Sequence, residues 1–147
     1  MAQYPPLILD AGHVRQFAVG DQLAGTPCAR IGHFVCPGIL GLYSVVGLGF
    51  KPKMVTFWVS KGQEVDKQYF CCCQGMMDAN GNQNAMSWAG GGGKIAGSTN
   101  LNKCMDAINQ AGISQVTAEY VSMDDDGFTI NFTVVNALFV IRWKAVG

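Results

Sequence analysis

The stretch that most constrains the fold is residues 47–60, GLGFKPKMVTFWVS. From Met54 onward the side chains alternate with a period of two, as they do along a β-strand. The alternation defines two faces: Val55, Phe57 and Val59 on one, and Met54, Thr56 and Trp58 on the other. Because β-branched and aromatic residues occupy both faces, the pattern predicts a central strand over Met54–Ser60. Such a strand needs neighbours at both edges and cover on both faces.

The rest of the chain reads as further short strands separated by turn residues. The strand-like runs are residues 31–36, 39–46, 68–74, 83–89, 115–123, 127–135 and 138–146. The glycine-rich and polar residues 90–93 and 96–102 predict a long flexible loop, and residues 104–109 fit either a helical turn or a strand. About eight strands at this spacing, with almost no helix, predict an all-β fold. We expect an antiparallel two-sheet β-sandwich of jelly-roll-like form over residues 28–147.

Residues 1–27 form a separate, short extended arm in this interpretation. Pro5 and Pro6 favour an extended entry, and two short strand-like runs follow before the chain turns into the sandwich. Two strands do not form a stable unit alone in water. The arm is therefore expected to dock on another surface, with Val14, Phe17 and Leu23 as its candidate assembly contacts.

The composition limits the classes of partner. Hydrophobic residues make up 49% of the chain and charged residues 14%, and ten basic residues balance ten acidic ones. This balance argues against nucleic-acid binding, and no run approaches the roughly 18 apolar residues of a membrane span. The first residues lack a charged leader segment, so we expect synthesis and folding in the cytosol. A surface with so little charge is typical of proteins covered by a partner or by copies of themselves.

The cysteines and histidines offer one candidate metal site. Because the chain is expected in the cytosol, the six cysteines are predicted to be free thiols, most of them packed as small buried hydrophobes. Cys28, His33 and Cys36 have a spacing compatible with zinc but lack a convincing fourth ligand. Within 71–73, neighbouring cysteines point to opposite faces of a strand. We predict no metal and no cofactor.

Two other motifs favour structural interpretations. The glycines before Lys94 do not have the spacing of a phosphate-binding loop. The sequence Asp124-Asp125-Asp126-Gly127 suggests a calcium site or a hairpin turn. Calcium loops place their ligands at alternate positions, so three consecutive aspartates favour the turn.

Catalytic candidates are few. His13 and His33 are the residues able to act as bases near neutral pH, and no serine lies in a nucleophile elbow. No catalytic residue is therefore predicted, and the protein is not expected to be an enzyme. The larger aromatic residues suit either a sandwich core or stacking against sugar rings: Trp58, Trp88, Trp143, Tyr43, Tyr69 and Tyr120. Among them Tyr69 and Trp88 are the candidate ligand-facing residues.

Three stretches resemble a known family. Residues 47–58, GLGFKPKMVTFW, are similar to a GLGFxPKxVxFW signature. Residues 121–130, VSMDDDGFTI, with 141–145, IRWKA, are similar to a VSFDxDGFTL…YxxLA signature. Residues 12–23, GHVRQFAVGDQL, look like a GxIxQLxxGDxL opening. Together they resemble a β-sandwich domain of tailed-bacteriophage virion proteins of the tail-fibre, head-fibre and decoration type, whereas residues 62–110 match only loosely.

The resemblance implies a non-enzymatic virion component that is assembled in the host cytoplasm and exposed on the particle. It implies a homo-oligomer, with a trimer favoured, that binds other capsid or tail proteins through the N-terminal arm. A capsid decoration protein is the favoured role, because the chain has no long fibre shaft. A tail fibre or tail appendage that binds a host-surface glycan is the alternative. A hydrolase of cell-wall sugars has the least support, because no paired carboxylates are visible.

Overall fold

The fold is described from a computed structural model, which covers residues 7–10 and 13–16 as backbone, and residues 28–61 and 69–147. The described residues contain twelve β-strands and no helix. The strands are β1 (Leu7–Asp10), β2 (His13–Gln16), β3 (Ala29–Val35), β4 (Gly41–Val46), β5 (Met54–Ser60), β6 (Tyr69–Asp78), β7 (Gln83–Gly91), β8 (Lys94–Asn100), β9 (Met105–Ile108), β10 (Ser114–Asp124), β11 (Gly127–Val135) and β12 (Val140–Val146).

Two antiparallel sheets form the sandwich, which confirms the predicted fold class. One sheet has six strands in the order β3-β12-β5-β6-β7-β8, and the other has four in the order β4-β11-β10-β9. The strands β1 and β2 pair with each other as a separate hairpin. The strand β5 lies between β12 and β6, so its predicted central position is confirmed.

The core lies between the inward faces of the two sheets, and Phe128 is at its centre. The Phe128 ring makes edge-to-face contacts with Phe57, with centroids 5.8 Å apart, and with Trp143, with centroids 5.6 Å apart. All three rings are buried. Edge-to-face aromatic pairs of this kind add about 0.5–1.5 kcal/mol each beyond the apolar area they bury.

The two stretches quoted above, 47–58 and 121–130, meet in the fold. The Asp126 carboxylate accepts hydrogen bonds from the backbone N–H groups of Gly47, at 3.0 Å, and Gly49, at 2.5 Å. Both glycines have positive φ, a conformation that non-glycine residues rarely adopt. The Leu48 N–H donates to the Asp126 carbonyl at 3.1 Å. The β10–β11 turn thereby fixes the loop that leads into the central strand β5.

One prediction about the middle of the chain is wrong. The expected loop over residues 90–93 and 96–102 is largely strand, because β7 continues to Gly91 and pairs in register with β8 through a tight turn at Gly92 and Gly93. Gly90 belongs to β7, and the Phe70 ring lies where a Cβ atom would be. The glycines therefore form an ordered hairpin.

The ambiguous segment 104–109 contains the strand β9. All four residues of β9 are buried, because the strand pairs with β10 and also packs against β6 and β7. A strand buried on every side has no alternation of polar and apolar residues. The periodicity of the sequence therefore could not distinguish it from a helical turn.

Candidate functional site

The six-stranded sheet has an outer face that the described residues leave uncovered. Val55, on the inner face of β5, is fully buried, whereas Trp58, on the outer face, is 43% exposed. Trp88 of β7 is 45% exposed on the same side of the sheet. Residues 28–61 and 69–147 therefore cover only the inner face of β5, and the prediction that the chain covers both faces stays a prediction. We call this surface the outer face.

Strand register aligns the outer-face side chains in rows that cross the sheet. One row runs from β3 to β8 and consists of His33, Arg142, Trp58, Gln74, Met86 and Thr99. The adjacent row contains Ser60, Cys72 and Trp88. The two tryptophans thus lie in neighbouring rows, on strands separated by β6.

Three shallow depressions lie along these rows, with the two indole rings between them. A depression of about 250 Å³ is bordered by both tryptophans, with Cys72, Gln74 and Arg142 in its lining. Beyond Trp58, a second depression of about 420 Å³ lies against His33 and Arg142. Beyond Trp88, the third, of about 290 Å³, is lined in part by three polar or small residues: Gly97, Ser98 and Thr99.

Among the described residues, the charge near the centre of the outer face is positive. Arg142 borders the first two depressions, and its Nη1 donates to the Ser60 hydroxyl at 3.3 Å. Among the described residues, no carboxylate forms an ion pair with Arg142. Lys144 follows on the same side of β12, while Asp78 lies at the far end of β6, opposite Met54. A guanidinium without a carboxylate partner can bind an anionic group of a ligand.

A second surface is the open edge of the sandwich. The strands β3 and β4 are terminal in their respective sheets. They oppose each other across the core, since the rings of Phe34 and Tyr43 are only 4.4 Å apart. Large apolar side chains are exposed along these strands and their connection: Ile31, Val35, Ile39, Leu40, Leu42 and Val46. We use the name open edge for these six residues.

On its β4 side, the open edge lacks the usual protection of edge strands within the described residues. Natural edge strands are commonly blocked by charged residues or proline. The strand β4 contains neither, and its outward residues Leu42 and Val46 are 72% and 73% exposed. The N-terminal arm joins β3 at Ala29, so the arm enters the sandwich at this same edge.

The cysteines divide between the core and the outer face. Cys36, Cys73 and Cys104 are buried, and none of the six cysteines forms a disulfide. Burial raises the pKa of Cys71 to about 12, and the neighbouring thiols of Cys72 and Cys73 add to the rise. As predicted, the Cys72 side chain lies on the opposite face of β6 from Cys71 and Cys73. It is exposed at the first depression.

The candidate metal residues are not brought together. Cys28 precedes β3 and His33 lies near its other end, a separation of about 17 Å along an extended chain. Cys36 is buried, whereas His33 belongs to the outer face. No group of three metal-ligating side chains is present in residues 28–61 and 69–147.

The aspartate triplet forms the predicted hairpin turn between β10 and β11. Its side chains diverge as expected: Asp124 accepts from the hydroxyls of Ser122 and Thr129, at 2.7 and 2.8 Å. Asp126 binds the 47–49 loop, and the side chain of Asp125 is fully exposed. The triplet therefore serves to stabilise the turn.

A buried carboxylate outside these motifs also has a structural role. Asp106 of β9 accepts hydrogen bonds from the Asn100 amide at 2.9 Å and the Ser114 hydroxyl at 2.7 Å. The Ser87 hydroxyl donates to its backbone carbonyl. Each side-chain oxygen of Asp106 thus has a neutral donor, as a buried carboxylate requires.

The structure describes only some of the residues predicted to form a site. The exposed Trp88 is positioned to face a ligand, while the side chain of Tyr69 lies outside the described part of the structure. The arm contacts Val14, Phe17 and Leu23 also fall outside it. The remaining aromatics divide between core and surface: Trp143 belongs to the core, Tyr43 and Tyr120 pack against it, and Trp58 is exposed.

Comparison with known proteins gives no relative. No protein-family model, curated protein or solved structure matches the chain. The described residues include no helix long and apolar enough to cross a membrane. The geometry of the two surfaces is therefore the basis for the functional proposal.

Proposed function

We propose that the protein is a non-enzymatic structural component of a tailed-bacteriophage particle, a capsid decoration protein that self-associates through the open edge. The observation that carries this proposal is the exposed apolar surface of β3, β4 and their connection. Apolar side chains grouped at an unprotected sheet edge favour association with another protein surface. A trimer is the expected state, because the virion domains that the chain resembles are frequently trimeric.

The position of the arm supports a role in cementing subunits. Residue 28 follows directly from the arm and leads into β3, one of the two strands of the open edge. In a subunit that associates through this edge, the described chain would begin beside the same contact, at residue 28. The arm could then reach a neighbouring subunit or the capsid surface, as the resemblance of residues 12–23 implies.

The role of the two glycine and aspartate motifs is consistent with a structural protein. Stretches 47–58 and 121–130 carry the resemblance, and they form one turn–loop contact through Asp126. Their residues stabilise the fold, and none of them forms a catalytic set. The proposal therefore assigns the chain no reaction.

Incorporation into particles tests this proposal. Phage lacking the gene would be grown in cells that supply the full chain, a chain lacking residues 1–27, or the Leu42→Asp variant. We expect purified particles to contain the full chain and to lack both altered chains, with circular dichroism verifying that each is folded. The matched control is Ile95→Asp, on β8 at the opposite edge of the sheet, where the side chain is 87% exposed. Normal incorporation of both altered chains would contradict the proposal.

A second candidate is glycan binding, as in a tail appendage that recognises the host surface. The specific observation that favours it is the exposure of Trp88 together with Trp58 on one sheet face. Exposed indoles beside polar side chains are suited to sugar rings, which have both apolar and hydroxylated faces. The two candidates rest on different residues of the same domain: β3, β4 and their connection for self-association, and Trp58 with Trp88 for glycan binding.

A further inference from the structure

The two exposed tryptophans are spaced to hold an extended ligand. Trp58 pairs with Gln74, and Trp88 pairs with Cys72, two residues earlier on β6. Two strand spacings and a two-residue offset place their Cα atoms about 12 Å apart. The first depression fills the interval between them. A ligand that contacts both rings must therefore contain more than one ring or an extended chain.

The depression between the two indoles offers both apolar and polar groups, as a saccharide requires. The π-faces of the indoles are electron-rich and favour the weakly positive C–H groups on one side of a pyranose ring. Gln74 and Ser60 supply amide and hydroxyl groups beside these rings. The Gln74 side chain makes no hydrogen bond to another described residue, so its donors and acceptor are available to sugar hydroxyls.

The position of Arg142 indicates that the ligand also carries a negative charge. Its guanidinium lies next to Trp58 in the central row and borders the depressions on both sides of that ring. Ser60 accepts one of its hydrogen bonds, and no described carboxylate is paired with it. The remaining donors form a planar fork that matches a carboxylate.

We propose that the outer face binds a saccharide that carries carboxylate groups, such as a chain of uronic acid units. Pyranose rings stack on Trp58 and Trp88, and a carboxylate of the same chain binds Arg142. The inference rests on the glycan-binding candidate and is independent of the role in the particle. Charge complementarity at Arg142 distinguishes this ligand from a neutral saccharide.

Titration of the full-length protein with a short oligogalacturonate, followed by tryptophan fluorescence, tests the proposal. The methyl ester of the same oligosaccharide removes the charge while retaining the rings, and sodium acetate supplies the charge without the rings. We expect saturable quenching by the acid, affinity for the ester that is lower by about tenfold or more, and no quenching by acetate. Equal affinity for acid and ester would overturn the assignment of a carboxylate.

Variants locate the site. Trp58→Ala and Trp88→Ala should each weaken binding of the oligogalacturonate by about tenfold or more, since each removes a stacking surface. Arg142→Gln should reduce the affinity for the acid to that for the ester. Lys144→Gln is the matched control, because Lys144 lies on the same face of β12 but outside the three depressions. Binding unchanged by all three test variants would overturn the proposal.

The exposed thiol of Cys72 gives a second measurement. Because Cys72 lines the first depression, bound oligogalacturonate should slow its alkylation by iodoacetamide at least several-fold, whereas the ester should protect it less at the same concentration. The absence of both quenching and protection would exclude this ligand. That outcome would leave the particle role intact, because Leu42 and the arm are tested by incorporation into particles.

Discussion

The carboxylate of Asp126 offers a direct test of how the fold is held together. Replacing Asp126 with Ala removes the acceptor for the N–H groups of Gly47 and Gly49. Hydrogen bonds to a charged group contribute about 1.5–3 kcal/mol each, but water can partly replace these because the loop is exposed. We therefore expect Asp126→Ala to lower the free energy of unfolding by about 2–3 kcal/mol. For a chain of this length, that loss lowers the melting temperature by about 4–12 °C.

Urea denaturation followed by circular dichroism, at one protein concentration and in reducing buffer, measures this loss. Asp126→Asn retains one carbonyl acceptor and should fall between wild type and Asp126→Ala. Asp125→Ala is the matched control, since its side chain is fully exposed and lies 3.9 Å from Lys51. It should change the free energy of unfolding by less than about 0.5 kcal/mol. Equal effects of Asp125→Ala and Asp126→Ala would refute the reasoning.

Three further predictions concern packing, thiol chemistry and pH. Gly75→Ala should lower the free energy of unfolding by about 3 kcal/mol or more in urea denaturation, because the new Cβ would lie 1.8 Å from the Cys104 carbonyl oxygen. Gly97→Ala is the control and should be nearly neutral, because its Cβ would lie 3.7 Å from the Ser87 carbonyl oxygen. Mass spectrometry after brief iodoacetamide treatment should find Cys72 alkylated first, since burial shields the core thiols and raises their pKa; early labelling of Cys104 would contradict this. Hydrogen bonds from Asn82 and Asn80 lower the pKa of Asp78 below 3.8, so its ionised form stabilises the folded state. The difference in free energy of unfolding between wild type and Asp78→Ala should therefore be largest at neutral pH and should vanish as the pH falls below 3.8. A difference that persisted unchanged in acid would be inconsistent with that role.

The strands that could be predicted are those specified by local patterns. The bounds of β5 and β11 agree with the sequence predictions, because each alternates clearly and ends at a turn. The turn at 124–127 was also predictable, since Asp-Gly favours a hairpin. Short-range periodicity was sufficient for these two strands, in which one face is more deeply buried than the other.

The segments that could not be predicted depend on distant contacts. The strand β8 is rich in small and polar residues, and it is a strand because β7 pairs with it. The strand β9 is buried on all sides and shows no alternation. In both cases the tertiary environment decides the conformation, and the local sequence carries little signal.

The candidate surfaces could be predicted only in part from the sequence. Trp88 was predicted to face a ligand, whereas Trp58 was named only among the aromatics that suit either the core or sugar stacking, and Arg142 was not predicted. The alternation in β5 correctly separates its two faces but does not reveal which face the described residues leave uncovered. The open edge was missed for a related reason: β3 and β4 become terminal strands only because β12 and β11 pair with their other sides.

The mass of the purified protein in solution, measured by light scattering under reducing conditions, tests the central claim most directly. If the open edge drives self-association, the wild-type chain forms a stable oligomer, with a trimer expected. The Leu42→Asp variant then shifts towards the monomer, and the Ile95→Asp control remains an oligomer. A wild-type chain that is monomeric at all concentrations would contradict self-association through the open edge, as would an oligomer that Leu42→Asp leaves unchanged.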